Sequence, residues 1–140
     1  MAESGRHGPR TEARRGALDI LFSAELRGRG IIETFIEARD VAGVTIRDLT
    51  ATLVHGIAEH GEQIDRRIAE SLDSSWTLDR MPAVDRNIAR IAVFELDHTD
   101  TPTPVVIAEA VKLASDLSTD DSPGFLNGLL SKAADTRPHI

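Results

Sequence analysis

The chain has 140 residues, with 16 Lys and Arg against 23 Asp and Glu, a formal net charge of −7, 41% hydrophobic residues and no Cys. This length and hydrophobic content suit one globular domain and argue against a wholly disordered chain, while the missing Cys excludes disulfides and thiolate metal sites. No apolar run approaches a membrane span, and the first residues lack the apolar core of a signal peptide, so we expect a cytoplasmic protein without a membrane partner.

The first third of the chain predicts a polar tail followed by two helices. Residues 1–9 are small, polar and rich in helix breakers, which is typical of a tail. A helical period of apolar residues begins near Arg10 and stops at the Gly-Arg-Gly sequence at 28–30. A shorter pattern predicts a second helix from Ile31 to about Asp40.

A long third helix is predicted from Thr45, which can cap it, through Leu72. Gly56 and Gly61 lie inside this segment. Each weakens a helix by about 1 kcal/mol relative to Ala, so we expect a bend or a break near them.

Prolines indicate where the last three helices begin. Pro82 suits the first turn of a helix, and both Thr103-Pro104 and Ser122-Pro123 repeat the signal. No stretch alternates with a two-residue period. The predicted fold is therefore all-α: a single domain of about seven helices over residues 10–135, followed by a short tail at 136–140.

Motifs for catalysis or metal binding are scarce. The sequence has no glycine-lysine phosphate loop, no Gly-x-Ser-x-Gly and no His-Glu-x-x-His. His55 and His60 are five residues apart, which places them about 140° apart around a helix and makes a poor metal pair. We therefore predict a non-enzymatic protein with no metal and no cofactor.

The charge is unevenly distributed. The first thirty residues carry six Arg and four acidic residues, and the rest of the chain carries ten basic and nineteen acidic residues. Arg10, Arg14 and Arg15 open the first helix, and Arg6 and His7 precede them. Because arginine suits bidentate phosphate contacts, this cluster is a candidate phosphate site; the alternative is a set of solvated side chains.

Two positions on later helices are either structural or functional. Glu95 shares an apolar stripe with Ile88 and Ile91, and a buried charge must be paired, so we expect Glu95 to fix helix packing. Phe125 stands near the start of the last helix, two residues before Asn127. It suits either the core or stacking on a single-stranded base.

The sequence resembles the NusB family of bacterial transcription antitermination factors in four segments that follow one another in order. These segments run from Arg14 to Phe22, from Asp85 to Leu96, from Pro104 to Ala114 and from Asp121 to Leu130. Together they span nearly the whole predicted domain. The resemblance implies an all-helical fold of two packed helical subdomains and a non-enzymatic role.

The resemblance also implies two partners. Proteins of this family pair with the small-ribosomal-subunit protein NusE, and the pair binds the boxA element of nascent ribosomal RNA. The complex supports processive elongation by RNA polymerase together with other Nus factors. RNA contacts are implied for the first and last helices, at Arg10, Arg14, Arg15, Phe125 and Asn127. A NusE-facing side is implied at Phe22, Leu26, Asp79 and Asp85.

Two other functions remain open at this point. Some RNA cytosine methyltransferases carry a NusB-like helical domain, but no glycine-rich cofactor-binding strand occurs here, which favours a free-standing adapter. A self-associating helical protein is the other alternative, because Phe22 and Leu26 also suit a homodimer. The few basic groups and the acidic remainder lead us to expect weak RNA binding by the chain alone, strengthened by a basic protein partner.

Overall fold

The computed structural model describes residues 8–137 and contains seven α-helices and one short 3-10 turn within them. The helices are α1 Pro9–Arg27, α2 Ile31–Asp40, α3 Asp48–Glu59, α4 Gly61–Ser71, α5 Ala83–His98, α6 Thr103–Leu117 and α7 Ser122–Asp135, and the 3-10 turn is Leu78–Arg80. No β-strand occurs among the described residues, so the all-α prediction is confirmed. Arg6, His7 and most of both predicted tails lie outside those residues.

The helices form two packed groups joined through α5. Helices α1, α2 and α3 pack against one another, and α4, α5, α6 and α7 form the second group. α5 also packs against α1 and α3. Every residue from 91 to 96 in this helix is buried, as expected for a helix surrounded by protein on all sides.

The end of α1 follows the glycine signal. Gly28 has a left-handed backbone with φ of 64°, which glycine adopts without steric cost. The N–H of Gly28 donates to the Glu25 carbonyl, and the N–H of Arg29 donates to the Ala24 carbonyl. These bonds satisfy carbonyl groups left open at the helix end and turn the chain toward α2.

The predicted break in the long third helix is confirmed, whereas its predicted start is wrong. α3 ends at Glu59 and α4 begins at Gly61, with His60 between them at φ −108° and ψ 20°. Thr45 does not cap α3, because the backbone is still extended at Arg47 and the helix begins at Asp48.

Gly56 has a packing role inside α3. A Cβ atom at this position would lie 2.2 Å from two ring atoms of Phe94. α3 therefore approaches α5 more closely than a residue with a side chain would allow. Gly56 lowers the local stability of α3, but it also permits the contact between the two helical groups.

The proline signals at α6 and α7 are confirmed, whereas Pro82 lies just before α5 rather than in its first turn. Pro82 immediately precedes α5, and Pro104 and Pro123 occupy the first turns of α6 and α7. A missing N–H in the first turn costs no helical hydrogen bond, which is why proline is tolerated there.

Candidate nucleic-acid and protein interface

Arg14 is buried between three helices. Its side chain is 3% exposed, and it donates to Glu95 of α5 from Nε at 2.7 Å and from Nη2 at 2.8 Å. Nη1 lies 3.4 Å from Oε1 of Glu109 in α6. Hydrogen bonding to Glu95 raises the pKa of the Arg14 guanidinium above its ordinary value, so the charge is fixed.

This position corrects the sequence prediction for Arg14 and explains Glu95. Arg14 does not offer its guanidinium to an exposed phosphate, because the buried Glu95 and the partly buried Glu109 pair with it. Glu95 is 2% exposed and paired, so its predicted packing role is confirmed. The residue spacing within α1 could not predict that Arg14 is buried and paired, because its partner carboxylates come from α5 and α6.

Arg10 lies one helical turn before Arg14, about 6 Å nearer the start of α1, and is exposed. It borders a groove of about 520 Å³ between α1 and the connection from α5 to α6. The other lining residues include Leu49, Thr99, Thr101 and Val105. Arg10 makes no ion pair with any described residue, so its guanidinium is available to an external anion.

Two further arginines lie near Arg10 in the sequence or in the fold, although Arg15 is about 140° away from Arg10 around α1. Arg15 is half-buried on α1 and makes no ion pair within residues 8–137. Arg137 donates from Nη1 to the Leu96 carbonyl at 3.3 Å and contacts Thr103 Oγ1 at 3.4 Å, against the same connection from α5 to α6. Arg137 follows α7, and it reaches this connection because α7 packs along α6. The sequence alone did not predict this position.

Phe125 lies in a second area, toward the other end of α5. Phe125 is half-buried, and its ring centroid is 5.7 Å from that of Trp76, with the planes tilted by 50°. A pocket of about 210 Å³ beside this pair is also lined by Asp85 and Asp121. Asn127 is exposed on α7, about 200° around the helix from Phe125, and does not line this pocket.

The two areas are separated along the central helix. Arg14 pairs with Glu95 near the end of α5, whereas the pocket of Phe125 reaches Asp85 near its start. Ten residues of α-helix span about 15 Å. The predicted RNA-binding residues therefore do not form one compact patch, and a ligand touching both areas must be extended.

Asp85 is buried rather than exposed, which corrects its assignment to a protein-partner surface. Its side chain is 3% exposed. The hydroxyl groups of Ser118 and Ser122 both donate to its carboxylate, the second at 2.8 Å. Asp85 therefore joins the start of α5 to α6 and α7, and its charge is already compensated by hydrogen bonds.

The other predicted partner residues are at least partly exposed: Phe22 and Leu26 in the second half of α1, and Asp79 in the turn before α5. Leu26 is 73% exposed, Phe22 is half-buried one turn earlier, and Asp79 is exposed in the Leu78–Arg80 turn. We name these three residues the Leu26 surface. An isolated exposed leucine is common, but one that follows an aromatic residue on the same helix by one turn is typical of an interface.

The described residues, 8–137, contain no group of three or more His, Asp or Glu side chains suited to metal binding. His55 packs against Phe35, and His60 stacks on His98 with centroids 4.2 Å apart. None of the described helices combines the length and the apolar character needed to cross a bilayer.

Comparison with known proteins identifies close relatives. A sequence model of the NusB family matches residues 11–135. A transcription antitermination protein NusB of Cutibacterium acnes is 47% identical over 121 residues, 86% of this chain and 46% of that protein. Another, of a Nocardioides species, is 42% identical over 132 residues, 94% of this chain and 97% of that protein. The chain thus spans about half of the first relative and nearly all of the second.

Solved structures share the fold. NusB of T. maritima superimposes with a TM-score of 0.81 at 30% identity, covering 93% of each chain. A structure of the antitermination factors NusB and NusE in complex with double-stranded RNA gives a TM-score of 0.77 at 29% identity. That match covers 90% of this chain and 96% of the other.

Proposed function

The chain belongs to the NusB family, and from this membership we propose that it is a cytoplasmic transcription antitermination factor. In this role it binds boxA RNA of nascent ribosomal RNA together with NusE and supports elongation by RNA polymerase with other Nus factors. The observation that carries the proposal is the match, over nine tenths of this chain, to a protein solved with NusE and RNA. A factor of this kind acts by binding and needs no catalytic group.

The charge distribution supports a shared RNA site. Arg10 and Arg15 offer guanidinium groups to phosphates from two sides of α1, while the buried Arg14 joins α1 to α5. Phe125 supplies a second, less basic area about 15 Å away along α5, and Asn127 is exposed on another side of α7. Two arginines bind phosphates only weakly when the protein as a whole is acidic, so NusE is expected to strengthen RNA binding.

The direct test is capture of boxA RNA by the chain with and without NusE. The proposal expects weak retention alone and strong, specific retention with NusE. Equal retention of boxA and a scrambled RNA of the same length, in the presence of NusE, would contradict it.

Replacing Arg10 and Arg15 together by Ala is expected to weaken boxA binding in the presence of NusE by about 1–3 kcal/mol, because two charge-assisted contacts to phosphate are lost. The slope of log affinity against log salt is expected to fall by about 1.4, at roughly 0.7 per phosphate contact on a single strand. RNA titration at several salt concentrations measures both quantities.

The control for this variant is Arg66→Ala, which removes an exposed arginine from α4. It is expected to leave the RNA affinity and the salt slope unchanged. Unchanged RNA binding by the folded Arg10 and Arg15 double variant would remove these residues from the RNA site.

Self-association is the competing function, because the exposure of Leu26 also suits a homodimer. Light scattering with and without NusE separates the two functions. A dimer of the chain that persists when NusE is added would favour self-association, whereas a one-to-one complex with NusE would favour the adapter.

A further inference from the structure

Arg86 on α5 binds both ends of the Leu78–Arg80 turn. Its Nη1 donates to the Leu78 carbonyl at 3.0 Å and to the Met81 carbonyl at 2.7 Å. None of the three residues of the turn is fully buried: Leu78 packs partly against the core, and Asp79 and Arg80 are exposed. The turn's local hydrogen bonds, from Arg80 to Thr77 and from Met81 to Leu78, shape it without attaching it to a helix.

The same guanidinium also holds the last turn of α1. Nε of Arg86 donates to Oε1 of Glu25 at 3.2 Å, and Nη2 donates to Oε2. Glu25 immediately precedes Leu26. Hydrogen bonding to Arg86 holds the pKa of Glu25 below its ordinary value, which keeps the carboxylate ionised and the pair intact at neutral pH.

A second arginine shares Glu25 but not the turn. Arg90 donates from Nη1 to Oε1 of Glu25 at 3.1 Å, and its remaining nitrogens bind both carboxylate oxygens of Asp65 in α4 at 2.8 and 3.1 Å. Arg90 thus stabilises the junction of α1, α4 and α5 without contacting the Leu78–Arg80 turn through any described hydrogen bond. Arg90 is therefore a matched control for Arg86, because both bind Glu25 and only Arg86 binds the turn.

We propose that Arg86 is a positioning residue for the Leu26 surface. It sets the distance between Asp79, on the turn, and Leu26, on α1, and so places the acidic and apolar parts of that surface for one protein partner. The inference rests on the proposed function, in which that partner is NusE. Because Arg86 is mostly covered, it acts through the turn and Glu25 rather than by touching the partner.

The test compares Arg86→Gln with Arg90→Gln in the full chain. Affinity for NusE is measured by calorimetry at a temperature where circular dichroism shows both variants folded. Arg86→Gln is expected to weaken NusE binding about tenfold, a change typical of losing hydrogen bonds from a charged group. Arg90→Gln is expected to leave it within about twofold, since the turn keeps its anchor.

The fluorescence of Trp76 reports the position of the turn. It would not change if Arg86 contributed only to the overall stability of the fold. Trp76 is the only tryptophan in a chain without tyrosine, and it lies just before the turn, with Arg80 over its ring at 5.4 Å. Its emission is expected to shift in Arg86→Gln and to remain unchanged in Arg90→Gln. Arg86→Lys is expected to recover only part of the NusE affinity, because one ammonium group lacks the fork that binds Glu25 and two carbonyls together.

Three results would overturn the inference. Parental NusE affinity in folded Arg86→Gln would show that the turn needs no such anchor. An equal loss of affinity in both glutamine variants would assign the effect to general destabilisation. Failure of the parent chain to bind NusE would refute the proposed partner, and this inference with it, before any variant is compared.

Discussion

Arg14→Ala is expected to lower the free energy of unfolding by about 3–5 kcal/mol, because it leaves a buried carboxylate without its partner. Glu95 is 2% exposed and would lose both of its hydrogen bonds from the guanidinium, at 2.7 and 2.8 Å. A domain of this size has about 5–15 kcal/mol of net stability, so the loss is large. Urea unfolding followed by circular dichroism measures it.

The matched control is Arg10→Ala, which removes the exposed arginine one turn away and is expected to change stability by less than about 0.5 kcal/mol. Arg14→Met combined with Glu95→Met removes both charges and is expected to recover much of the stability lost by Arg14→Ala. Parental stability in Arg14→Ala would mean that the buried pair contributes nothing to the fold.

The expected loss of stability in Arg14→Ala determines which variants can be used to test RNA binding. Because Arg14→Ala is expected to destabilise the fold, a loss of RNA affinity in that variant would not identify a contact between Arg14 and RNA. Arg10 and Arg15 carry the same charge on the same helix without a buried partner among the described residues. Substitutions at these two positions therefore separate phosphate contact from folding.

Asp97→Ala is expected to cost a similar 3–5 kcal/mol, because it leaves the buried guanidinium of Arg67 without its counter-charge. Arg67 is 7% exposed and donates from Nε and Nη2 to the two oxygens of Asp97, each at 2.8 Å. Nη2 also donates to the Ala133 carbonyl at 2.8 Å, so one side chain of α4 joins α5 to the end of α7. Thermal unfolding measures the loss.

The control for Asp97→Ala is Asp100→Ala, three residues further along the chain and exposed. It removes the same charge and is expected to leave the melting temperature nearly unchanged. A comparable drop in both variants would show that net charge, rather than the pair with Arg67, determines the effect.

Most of the helix boundaries could be predicted from single residues. Gly28 ends α1 because it adopts a left-handed backbone, and Pro104 and Pro123 begin α6 and α7 because their fixed φ suits a first turn. These signals depend on local geometry and need no knowledge of neighbouring helices. Thr45 failed as a cap because an extended segment of loop separates it from α3.

The candidate site could be predicted only in part. Helical periodicity places Arg10 and Arg14 on one side of α1, yet one is exposed and the other buried, because Glu95 faces only the second. Asp85 looks like an acidic surface residue in sequence and is covered because Ser118 and Ser122 enclose it. In each case the deciding groups belong to distant parts of the chain.

The sequence by itself determined the all-helical class, the order of the helices and the presence of a basic first helix in an acidic chain. These properties follow from apolar spacing, glycine and proline positions, and composition. Only the tertiary structure decided which charged side chains are free to bind. A charge becomes structural when packing removes it from water, because it then requires a partner that only the folded chain brings within hydrogen-bond distance.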